Sequence, residues 1–159
     1  MIKFIGLFVF VVGMTTAGVG MSESLNRRLR SLEAFVRFVD ALESRIDAFR
    51  TPVAEFVDSY DDPNLEAFCR CVRETGSIEN AVDACADTLK LAQSDVRLIR
   101  LFAHELGQLS AAEEVKRCAY CKRELEKAAA AVRDELPVKS KLYKSGGLMA
   151  GVLIAVLFL

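Results

Sequence analysis

The chain has 159 residues, 52% of them hydrophobic and 27% charged, with a formal net charge of −1. This balance excludes a disordered chain, which combines low hydrophobicity with high net charge. It also excludes nucleic acid as the main partner, because such domains carry a basic face or stripe. The first acidic residue is Glu23 and the last is Glu135, so both ends are free of carboxylates.

The first end, Phe4–Met21, reads FIGLFVFVVGMTTAGVGM. As a helix it spans roughly 27 Å, close to the hydrocarbon thickness of a bilayer. Residues 1–21 are therefore expected to form an N-terminal transmembrane helix. Arg27, Arg28 and Arg30 follow it, and positive charge on that side holds the next domain in the cytoplasm. The alternative is a signal peptide, with Lys3 as its positive start and cleavage after Thr15-Thr16-Ala17. That route leads to an exported helical domain with a C-terminal anchor. The arginines on the inner side favour the uncleaved anchor.

Residues 22–137 read as one all-α domain of about six helices, since about 120 residues suffice for one compact domain. Seven of the nine glycines lie in the apolar ends, and only Gly76 and Gly107 fall between them. Each follows a helical stretch, where a turn needs positive φ. The first helix runs from about Ser22 to Phe49, with Leu25, Leu29, Leu32, Val36, Val39, Leu42, Ile46 and Phe49 on one stripe. Thr51-Pro52 opens a second helix that ends near Tyr60, and Asp62-Pro63 opens a third that stops at Gly76. Ser77 caps a fourth, to about Lys90, and Ser94 caps a fifth, to Leu106. Ser110 with Glu113 is a capping-box pattern for a long sixth helix. Pro137 should bend or break that helix.

Lys139, Lys141 and Lys144 then lead into SGGLMAGVLIAVLFL. Residues 138–159 are expected to form a second transmembrane helix, with Gly147 and Gly151 as a GxxxG packing pair. The two basic rims place both termini across the membrane and the domain in the cytoplasm. They also offer contacts to anionic lipid. With both spans entering from one side, the long first and last helices should pack antiparallel, with the short helices as a cap. Gly6 and Gly13 of the first segment offer a complementary groove for the GxxxG pair, and copies of the chain are a further partner class.

Residues with chemistry in them read as structural. Cys69-Arg-Cys71 and Cys118-Ala-Tyr-Cys121 resemble paired zinc thiolates. However, residues two apart on a helix point about 200° away from one another, so Cys69 and Cys71 cannot face one ion. Cys118 and Cys121 share an apolar stripe, where free cysteine acts as a small hydrophobe. His104 reads as an exposed histidine without a partner. Glu33/Arg37, Asp95/Arg97 and Glu124/Lys127 read as local solvated pairs. No Ser-His-Asp set or phosphate-binding GxxxxGK[ST] loop is present. No catalytic residue, metal or cofactor is expected.

The order NRRLRSLEAFVRFVDALESRI, FRTPVAEF, LFAHELG and LYKSGGLMAGVLIAVLFL resembles the stage III sporulation protein AB family over essentially the whole chain. Its best markers are Thr51-Pro52, Leu106-Gly107 and the stretch Leu142–Gly151. After Gly107 this chain departs from the family's acidic residue and glutamine, reading Gln-Leu-Ser-Ala-Ala-Glu113. The resemblance implies a component of the channel between mother cell and forespore, with a domain similar to the cytoplasmic part of type II secretion platform proteins. It also implies two sets of partners, a cytoplasmic secretion-type ATPase and other membrane proteins of the channel.

Overall fold

Helical periodicity without strand-like alternation gives, in the computed structural model, six helices. They are α1 (Ile2–Phe49), α2 (Val53–Ser59), α3 (Glu66–Thr75), α4 (Ile78–Cys85), α5 (Gln93–Glu105) and α6 (Ala111–Leu157). The structure describes the backbone of residues 2–49, 53–108 and 110–157, and the side-chain surroundings of residues 20, 22–47, 55–108 and 110–138. Among the described residues there is no strand, so the all-α expectation holds. Two compact units result: Arg27–Ala131, and the segments Met1–Asn26 with Val132–Leu159.

In the unit formed by the two ends, Ser22 and Val132 are buried, and Asn26 Nδ2 donates to the Ser22 carbonyl at 3.2 Å. Among the described residues no helix is long and apolar enough to cross a membrane. Apart from Gly20 and Val138, the side chains of both expected spans lie outside those residues. The expected break at Pro137 is corrected, because α6 continues through it. Proline removes one backbone donor while its own φ is helical, and the flanking ladder carries the helix on.

The unit Arg27–Ala131 is built on phenylalanine. Phe38 makes edge-on contacts with Phe35, Phe56, Tyr60 and Phe68 at centroid distances of 5.1–6.5 Å. Phe35 adds a 5.0 Å contact to Phe68. Such edge-to-face pairs contribute about 0.5–1.5 kcal/mol each beyond area burial. Phe102, Cys121 and Leu125 close the same core, leaving a void of only about 10 Å³, at the lower limit for holding one water. In the cap, α2 packs on α3, α3 on α4 and α4 on α5. Cys118 of α6 lies in the field of Glu43, Lys122 bonds Asp40, and Leu125 meets Phe35 and Phe38 around the void. Position rises along α6 as it falls along α1, so these portions run antiparallel, as expected.

Three helix limits differ from expectation. Asp62 does not cap a helix at Pro63. Its Oδ1 accepts the Asn64 N–H at 2.9 Å, closing a side-chain turn, and α3 begins three residues later. α4 stops at Cys85, and Lys90 adopts φ +56° where a glycine would be cheaper. The buried Ser31 hydroxyl donates to the Leu89 carbonyl at 2.9 Å and fixes that turn. α5 is capped from Ala92 rather than Ser94, with Asp95 Oδ2 reaching back to the Ala92 N–H at 3.0 Å.

Candidate functional site

The polar residues with the greatest structural consequence join α1 to separate parts of the cap. Asp95 is 2% exposed, and a carboxylate buried that deeply is stable only when paired and fully bonded. Arg28 meets it with both prongs of its fork, Nε to Oδ2 at 2.8 Å and Nη2 to Oδ1 at 3.0 Å. The Ala92 N–H and the Ser94 hydroxyl complete its shell. Farther along α1, Arg37 donates through Nε and Nη2 to Asp62 Oδ2 at 3.1 and 2.7 Å.

Burial alone would raise the Asp62 carboxyl. Its hydrogen bonds from Arg37 and Asn64 prevail and hold it below its ordinary value. The same bond pushes the Arg37 guanidinium up. These pairs correct the local reading: Asp95 is joined to Arg28 and Arg37 to Asp62, across the fold. Glu124 and Lys127 pair locally as expected, at 2.7 Å, and the Glu33 charge also acts on Arg37.

The basic rim after the first apolar segment is thereby divided. Arg28 is held by Asp95, whereas Arg27 and Arg30 are exposed. Lys139, Lys141, Lys144, Gly147 and Gly151 fall within α6, with side chains outside the described residues. Thr51 and Pro52 lie wholly outside the described residues. Gly76 ends α3 at φ +66°, its N–H bonded to the Val72 carbonyl at 2.8 Å. Gly107 has φ +84° and donates to Glu114 Oε1 at 2.6 Å. At Ser110 one half of the capping box forms, with the N–H bonded to Glu113 Oε2 at 3.1 Å. The serine hydroxyl bonds that carboxylate too.

The cysteines sort by burial. Cys118 and Cys121 sit in the core, and burial pushes both thiols up to about 12. Cys69 is buried and raised for the same reason. Cys71, half-exposed, meets a residue that sequence spacing did not pair with it: Cys85 Sγ lies 3.1 Å from Cys71 Sγ. Burial first, and Cys71 second, push the Cys85 thiol up to about 12. No group of three or more metal-ligating side chains converges among the described residues. His104 is exposed as expected but has a partner, with Nδ1 3.0 Å from Glu79 Oε1. That pair and Arg73–Asp58 edge a cleft of about 510 Å³ floored by Val57, Ile78 and Leu106. With these edge side chains already paired, the cleft offers a shape rather than a reactive group.

The model of the family described as stage III sporulation protein AB matches residues 3–159. The chain belongs to this family. The match takes in both apolar ends and everything between them, so stage III sporulation protein AB describes the whole arrangement rather than the helical unit alone. It makes the chain a sporulation protein. Comparison with curated proteins gives no match, and neither does comparison with solved structures.

Proposed function

We propose that this sporulation protein is a non-catalytic platform component of the channel between mother cell and forespore. Residues 4–21 and 145–159 cross the mother-cell membrane, and the helical unit faces the cytoplasm. There the cap of α2–α5 docks a secretion-type ATPase, and neighbouring channel proteins contact the membrane helices. The observation that carries this reading is the family match across residues 3–159, apolar ends included. The distribution of charge supports it, with carboxylates confined to positions 23–135 and basic clusters at both inner edges.

The test is co-purification of the full chain with the ATPase, followed by charge reversals at exposed cap positions such as Glu74→Lys and Arg97→Glu. Weakened co-purification in at least one reversal is expected. Unchanged capture in every cap reversal removes the cap as the docking surface. Mass spectrometry of the mature N-terminus tests the topology. Loss of the first 17 or so residues, at the Ala17 site, would instead establish the exported, tail-anchored form.

A further inference from the structure

A second cleft, of about 290 Å³, opens between α1, the turn leading into α3 and the turn after α4. Arg27 and Arg30 from α1 and Arg70 from α3 stand in its wall, all three exposed. Among the described residues none of the three makes an ion pair, whereas Arg28, Arg37, Arg73, Arg100 and Arg117 each face a carboxylate. Glu66 is the single carboxylate in the wall, so three guanidinium charges against one leave two in excess. Positive groups gathered round one space repel one another, and an anion seated among them relieves that. The first turn of α3 adds to the same wall through Glu66 and Ala67, and Leu65 at its N-cap supplies no side-chain acceptor. That helix start therefore lacks a side-chain cap, and the Glu66 carboxylate stands in its first turn.

We propose that this cleft binds a phosphate group carried on a small polar moiety. Guanidinium is the cation that matches phosphate oxygens two at a time, and arginines from two helices line this space. Size narrows the class. Small-molecule pockets begin at roughly 300 Å³, so the cleft is of a size for a glycerophosphate or a single lipid headgroup. Arg27 stands six residues after the apolar segment ending at Met21. A headgroup is thus one source and a soluble phosphate ester the other. The site itself does not depend on the membrane reading; only the lipid source does.

The test is calorimetric titration of the full chain in neutral detergent with two probes: glycerol 3-phosphate, and short-chain phosphatidylglycerol against phosphatidylcholine. Saturation by at least one anionic probe is expected, at one per chain, and the probe that saturates names the source. Arg70→Gln and Arg27→Gln should each weaken it about tenfold, the loss of one charge-assisted contact. Arg97→Gln, which removes an exposed arginine on α5 outside the cleft, should leave it unchanged. No saturation by either probe overturns the site. So does an equal loss in Arg70→Gln and Arg97→Gln, which is general charge attraction.

Discussion

Arg28 and Asp95, 67 positions apart, form a two-pronged ion pair that ties α1 to the first turn of α5. The carboxylate is buried and also holds the helix start at Ala92. Removing its cation leaves a charge with only two neutral donors. Arg28→Ala should therefore destabilise the chain by about 2–4 kcal/mol, near the lower end for breaking a buried pair because Arg28 is partly solvated. Chemical unfolding followed by circular dichroism checks this. The double variant with Asp95→Asn should lose less than the sum of the two singles, since each removes the same interaction.

Asp62 gives the unfolding equilibrium a dependence on acid. Its carboxyl is held below its ordinary value in the folded chain, so the unfolded chain takes up the proton first. The contribution is complete at pH values above the ordinary carboxylate range, about 4. It is lost as pH falls through the depressed folded value. Asp62→Asn should flatten this part of the stability curve, and unfolding midpoints compared between pH 7 and pH 3 read the difference.

Phe38 and Val36 separate the true core from the stripe legible in the sequence. Phe38 is 2% exposed and sits among four aromatic rings, whereas Val36 is half-buried. Phe38→Ala should cost about 3–5 kcal/mol. Val36→Ala should cost less than about 1.5 kcal/mol, the lower end for burying such a side chain. Comparable losses at the two positions would place the core elsewhere on α1.

Gly76 tests backbone conformation with no steric complication. Nothing lies within 4 Å of a Cβ built there, yet its φ is +66°. Gly76→Ala should therefore destabilise by about 1–2 kcal/mol through the left-handed conformation alone. Thermal melts of the two proteins measure it.

Cys71 should be the first thiol to react with iodoacetamide, because Cys69, Cys85, Cys118 and Cys121 are buried and Cys71 is not. Peptide mapping after brief labelling of the folded chain should show one modified site. Labelling in denaturant should show all five of the cysteines. Early modification of Cys118 or Cys121 would contradict the packing of α6.

What could be read from the sequence was what repeats locally. Leu32, Val39, Leu42 and Ile46 were legible at helical spacing and all are buried. Phe35 and Phe38 were missed because the buried face of α1 is wider than one narrow stripe. Arg37 and Asp95 were matched with neighbours on their own helices. An arginine fork is long enough to choose a carboxylate brought near by tertiary structure, and no spacing rule encodes that choice. The turn at Lys90 carried no glycine to announce it, since the bond from Ser31 holds it from another helix. The cleft around Arg27, Arg30 and Arg70 draws on segments 40 residues apart, and only folding brings them together.

Arg28, Ser31 and Arg37 lie within ten residues of α1, roughly 13 Å of helix. Each grips a different station on the cap, at Asp95, Leu89 and Asp62 respectively. A shaft keyed to its hub at three points can neither spin nor slide within it. A push or a twist applied to the cap therefore acts on this part of α1 through three separate contacts.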